Sequence, residues 1–111
     1  MPDAAKIRLA NDVFRLSLHR WGRVMVTAGV AAMGPGFGVR ALMAVKTFSD
    51  FNNGNDPHNE HDFGSLDVDG HTICFKIDYY EKGSNYTMGA EHPEDTSTTD
   101  RVLTIMLACE Y

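Results

Sequence analysis

The sequence predicts one α+β domain over residues 1–111: a small antiparallel sheet of about three strands with helices packed mainly on one face, in the order α-β-α-β-β-α. Three observations lead there. Apolar residues recur at helical spacing near the N-terminus and again after residue 36. β-Branched and aromatic residues alternate on either side of Asp69-Gly70. A chain of 111 residues has too few of them to cover three short strands on both faces.

Taken in order, residues 3–19 read as a helix. Asp3 can cap it, and Ile7, Ala10, Val13, Phe14 and Ser17 form its stripe. Trp21-Gly22 ends it, and Arg23–Thr27, rich in β-branched residues, reads as a short strand. Gly34–Gly38 breaks the chain and starts a second helix running to about Ser49, with Phe37, Ala41, Leu42, Val45 and Phe48 facing inward. The strongest local signal is a hairpin. Phe63–Val68 and His71–Tyr80 flank Asp69-Gly70, a dipeptide suited to the positive φ angles of a two-residue turn. On its second strand Ile73, Phe75, Ile77 and Tyr79 share the core face, while Thr72, Cys74, Lys76, Asp78 and Tyr80 share the other. A last helix is expected from Thr98 or Thr99, with Val102, Leu103, Met106 and Leu107 as its stripe.

Composition narrows the function classes. No apolar run is long enough to cross a bilayer, and the first residues lack the basic-then-apolar layout of a secretory signal, so a cytoplasmic protein without membrane contact is expected. Cys74 and Cys109 lie far apart, each in an apolar pattern, and read as packing residues rather than a disulfide. Charge is divided unevenly. Residues 1–48 hold seven Lys/Arg against two acids, or +5, and residues 49–111 hold three against thirteen, or −10. The cations of the first half are scattered and the second half would repel phosphates, so no direct nucleic-acid binding is expected. An acidic half favours a protein partner with a basic surface, unless the two halves simply neutralise each other.

The densest polar cluster is Asp56-Pro57-His58-Asn59-Glu60-His61-Asp62, on the loop entering the hairpin. Asp56, Glu60, His61 and Asp62 are the candidate binding residues, with Tyr80 as an outward-facing contact. His58, Glu60, His61 and Asp62 offer the nitrogen and oxygen ligands of a divalent ion such as zinc, with Glu60 as a base. Neither zinc-protease helix signature is present, however, and a calcium-loop register starting at Asp50 places Asn55 where glycine is required. In the simpler reading, Asp56 makes a side-chain turn before Pro57, and Glu60 or Asp62 bonds nearby backbone to order a long loop. That loop is then well ordered, with Glu60, His61 or Asp62 bonded to backbone or to residues 91–95. If such a bond is structural, Asp62→Ala destabilises by roughly 1–2 kcal/mol; if Asp62 belongs to a binding site, melting stays almost unchanged and the activity is lost. Nothing in the spacing of the histidines, cysteines and serines places a base beside a nucleophile.

The segments Asn55-Asp56-Pro57, Glu60–Gly64, Lys76–Tyr80 and Arg101–Ala108 before Glu110-Tyr111 are similar to those of a bacterial family known only as a domain of unknown function. Its members often sit on plasmids and other mobile elements. The similarity runs from Leu9 to the C-terminus and implies a compact bacterial cytosolic protein, with no catalytic residues to carry over. Cys109 stands where the family pattern leads one to expect an acidic residue, which argues against a shared catalytic role there.

Two functional expectations follow. The first is a small, non-enzymatic protein-binding or inhibitory accessory module of a mobile element, needing no cofactor. The second is a metal-binding protein or metal-dependent hydrolase centred on residues 56–62. The oligomeric state is not legible.

Overall fold

The computed structural model describes residues 3–17 and 20–111, so the last two residues expected in the first helix lie outside the described residues. The elements are α1 (Ala4–Ser17), β1 (Gly22–Val26), α2 (Ala28–Ala32), α3 (Pro35–Lys46), β2 (Phe63–Val68), β3 (His71–Glu81) and β4 (Thr99–Leu107), closed by a 3₁₀ turn at Ala108–Glu110. The α+β class holds, with a four-stranded mixed sheet in the order β1-β4-β3-β2.

Local signals place most of these elements. Asp3 caps α1, its carboxylate accepting from Ala5 N at 2.9 Å. Thr27 caps the short α2, which had no counterpart in the sequence reading. Gly34 and Pro35 open α3, and its buried residues are Phe37, Ala41 and Val45. The hairpin forms in the expected register, Val68 opposite His71, with positive φ at both turn residues (51° at Asp69, 80° at Gly70).

The final element is a strand, not the expected helix, and this changes the sheet. Thr99–Leu107 lies between β3, antiparallel to it, and β1, parallel to it. The expected helical stripe was an accident of a run that is apolar on both faces. Arg101, Leu103 and Ile105, all fully buried, point to the helix layer, and Val102 and Met106 point the other way and are also buried. Such runs carry no periodicity to distinguish helix from strand, and here Thr99, Val102, Thr104 and Ile105 favour the strand. Gly22 is what lets β1 pair closely: a Cβ there would overlap the Arg101 carbonyl oxygen.

The core lies between the helices and one sheet face. Phe14 of α1, Val30 of α2 and the α3 stripe meet Ile73, Phe75, Ile77, Leu103 and Ile105. The helices thus pack on one side, as expected. Irregular chain approaches the other side: Tyr86 lies against Tyr80 and beneath Arg23, and Tyr111 lies against Phe63. No helix among the described residues is long and apolar enough to cross a membrane.

Both cysteines are free, but only Cys74 packs; Cys109 is exposed, contrary to its apolar sequence context. A thiol reagent is therefore expected to modify Cys109 alone in the native protein and both residues after unfolding, read by intact mass.

Candidate functional site

The amphipathic stripe of α1 delivers polar as well as apolar groups to the interior. Asn11 falls between Ile7 and Phe14 on the inward face and is fully buried. Its Oδ1 accepts from Arg101 Nε at 2.7 Å, and its Nδ2 donates to Tyr79 Oη at 2.8 Å and to the Glu60 carbonyl oxygen at 3.0 Å. The amide orientation follows from chemistry, since a guanidinium can only donate. The Tyr79 hydroxyl in turn donates to Glu60 Oε1 at 2.8 Å. Burial holds that hydroxyl well above the ordinary tyrosine range, the Asn11 bond opposes this, and the Asp62 and Glu60 carboxylates add to it. Arg101 Nη2 donates to the Pro93 carbonyl oxygen at 2.7 Å, and its guanidinium carbon is 5.3 Å from the centre of the Tyr79 ring.

One turn along α1, Arg15 is also buried, which lowers its pKa against the opposing pull of Asp12. It donates to the Phe48 carbonyl oxygen at 3.1 Å and to Asp12 Oδ1 at 3.2 Å. The same carboxylate oxygen lies 2.9 Å from His61 Nδ1. A carboxylate only accepts, so Nδ1 carries the proton. The imidazole stacks on Phe51, centroids 3.8 Å apart and planes 5° from parallel. His61 itself has φ 57°, a left-handed conformation that these contacts hold in place.

Asp56 organises the loop from within. It is 5% exposed, and its Oδ1 accepts from Glu60 N at 3.0 Å and His61 N at 3.1 Å. The expected two-residue side-chain turn at Pro57 is replaced by a wider loop clamp, with Asp56 rather than Glu60 or Asp62 accepting from backbone amides four and five residues on. The loop is ordered through α1 and β3: the His61 and Glu60 side chains bond the side chains of Asp12 and Tyr79, and not backbone or residues 91–95 as expected. Those residues join the network one step away, through Pro93 and Arg101.

Of the sequence candidates, Asp56, Glu60 and His61 come together. His58 is exposed. Tyr80 lies on the opposite sheet face against Tyr86, because its neighbour Tyr79 takes the core face. Among the described residues, no three of His, Cys, Asp and Glu converge to hold a metal ion. Sequence reasoning missed Asn11, Asp12, Arg15, Tyr79 and Arg101. The signal for the first and third was polar residues four apart on an otherwise inward stripe. For Arg101 it was the two-residue spacing from Leu103 and Ile105.

Asp62 stands apart. It is half-buried, and among the described residues no side chain or backbone group of another residue bonds its carboxylate. Burial, with the Glu60 carboxylate next in effect, raises the pKa of its carboxyl; a bond from its own backbone amide opposes this, Asp56 adds to it and His58 opposes it. The native state then binds this proton more tightly than the unfolded chain. Stability falls as pH rises from the ordinary aspartate range through the raised value. Asp62→Asn is expected to keep or raise the denaturation midpoint at neutral pH and to flatten that slope, measured by urea titration at several pH values. The 1–2 kcal/mol loss expected from the sequence does not follow, because no bond to another residue is there to lose.

What the arrangement does chemically is to match donors to acceptors across elements distant in the chain: α1, the 49–62 loop, β3, β4 and the segment before β4. No curated protein and no solved structure matches the chain. The sequence model of DUF3768, described as a protein of unknown function, matches residues 26–110. This takes in Asp56, Glu60, His61, Tyr79 and Arg101, and stops short of Asn11, Asp12 and Arg15 on α1. A match running from the end of β1 to the closing 3₁₀ turn spans most of the sequence, and the chain belongs to the DUF3768 family.

Proposed function

We propose that the protein is a small, non-enzymatic binding module that presents its acidic half to a protein partner with a basic surface, as a cytoplasmic accessory or inhibitory protein of a bacterial mobile element. One observation carries the reading. Close ion pairs between the two oppositely charged halves of the chain are sparse among the described residues. Residues before 49 build the three helices and β1, and residues after 49 build the hairpin, β4 and the long loops. Among the described residues, Arg40–Asp69 at 2.7 Å is the one Lys/Arg–carboxylate pair that joins the halves. Arg15–Asp12 and Lys76–Asp78 each stay within a half, and Arg101 is buried. Asp50, Asp67, Glu91 and Asp95 remain exposed on the sheet-bearing half. Meanwhile Asn11, Glu60, Tyr79 and Arg101 are engaged with one another, and His61 with Asp12 and Phe51, which suits a scaffold better than a reaction centre.

An acidic face of this kind accelerates encounter with a basic one and loses that advantage as salt screens it. The tagged protein, passed over host lysate, is expected to retain a basic protein in stoichiometric amount at low salt. The association rate of the purified pair should fall by about tenfold or more between low and high salt. Recovery of no stoichiometric partner at either salt would overturn the proposal, as would a partner whose binding rate ignores salt.

A further inference from the structure

We propose that the cavity between residues 54–57, the start of β2 and Tyr111 seats a single lysine or arginine side chain of the basic partner, with Asp62 as its counter-charge. The proposal rests on the protein-binding reading above and gives that partner a point of attachment. The cavity has a volume of about 470 Å³, and Asn55, Asp62, Phe63, Lys76, Asp78 and Tyr111 contribute to its lining.

Three features select a cationic side chain. The first is charge. Lys76 Nζ is 3.2 Å from Asp78 Oδ2, so these two cancel, leaving Asp62 as the uncompensated charge of the lining. Asp62 has no partner among the described residues, and the Glu60 and Asp56 carboxylates lie near enough to add negative potential. The second is the wall. The rings of Phe63 and Tyr111, centroids 5.1 Å apart and tilted by 58°, give an aromatic surface beside the carboxylate. A lysine or arginine side chain matches that combination, with an apolar stem for the rings and a charged head for Asp62. The third is the ligand count. With no convergent set of three His, Cys, Asp or Glu groups among the described residues, the site lacks the donors a divalent ion needs. An anion would meet an excess of carboxylates.

The test uses the full chain, isotope-labelled, titrated by NMR with acetylated and amidated glycine–X–glycine peptides, X being arginine, lysine, citrulline or norleucine. The arginine and lysine peptides are expected to shift the amides of Asp62, Phe63, Lys76 and Tyr111 saturably. The neutral peptides should bind at least about tenfold more weakly. Asp62→Asn should weaken the cationic peptides by a similar factor, whereas Asp67→Asn, an exposed acid on β2, should leave them unchanged. Unaltered affinity in Asp62→Asn, or shifts centred elsewhere, would overturn the assignment. So would butylamine or putrescine binding more tightly than the peptides, which would mark a site for free amines. A basic partner captured equally by the native protein and by Asp62→Asn overturns the cavity assignment but leaves the protein-binding reading standing. No capture by either at low salt overturns that reading, and this one with it.

Discussion

Asn11→Leu is expected to lower the unfolding free energy by about 3–5 kcal/mol, the range found when one partner of a buried charged group is removed. The leucine fills similar volume among Ile7 and Phe14, so the loss is polar rather than steric. Three groups lose a bond at once: Arg101 Nε, the Glu60 carbonyl oxygen and the Tyr79 hydroxyl, which keeps its bond to Glu60 Oε1. Arg101 suffers most, because it is fully buried, its Nη1 already has no partner among the described residues, and burial alone depresses its pKa. A domain of this size has a total stability of roughly 5–15 kcal/mol, so the variant should stand near the limit of folding. The urea midpoint should drop with the slope unchanged. The double variant Asn11→Leu with Arg101→Met separates this account from simple mispacking. Removing the stranded charge should return part of the loss, a strong non-additivity in the cycle. Additive losses would show that the Asn11–Arg101 bond is not what the amide contributes.

The second large effect belongs to the 49–62 loop. Asp56→Ala is expected to destabilise by about 3–6 kcal/mol, since two amide bonds to a buried carboxylate are lost and bonds to charged groups contribute roughly 1.5–3 kcal/mol each. The Glu60 and His61 amides would be left without acceptors, and His61 would lose the support that keeps its left-handed backbone in register with Asp12 and Phe51. Hydrogen exchange at those two amides should accelerate, while exchange in the β3–β4 ladder should follow only the global loss. Asp56→Asn, which keeps an accepting oxygen without the charge, should recover about half of the difference. If the alanine variant melts like the native protein, the loop is held from outside, by α1, and not by Asp56.

Much of the architecture was legible because local chemistry and tertiary demand agreed. Asp3 could cap, Gly34-Pro35 could only open a helix, and Asp69-Gly70 joined two alternating strands into a hairpin whose residues pair as expected. The acidic character of residues 49–111 was likewise plain from composition, and so was the crowding of polar groups at 56–62.

Thr99–Leu107 was misread because a central strand is buried on both faces and loses the alternation that identifies an edge strand. Its place between β1 and β3 depends on two pairings with segments distant in sequence, and no local pattern records them. The polar network had the same origin. Asn11 and Arg101 stand ninety residues apart, and each alone looks like a polar residue destined for solvent. Burial of either is tolerable only once the other arrives, so the pair becomes visible when the fold closes. Asp62 went the other way: it was grouped with its neighbours by sequence, and the turn into β2 faces it away from their hydrogen bonds and into a cavity with Phe63 and Tyr111. The sequence by itself determined the fold class, the hairpin, the starts of α1 and α3 and the charge division, because these depend on residues within a few positions of one another. The tertiary structure alone decided which polar groups are buried together and which carboxylate is left unpaired. Those outcomes depend on desolvation and on partners that only the closed fold supplies.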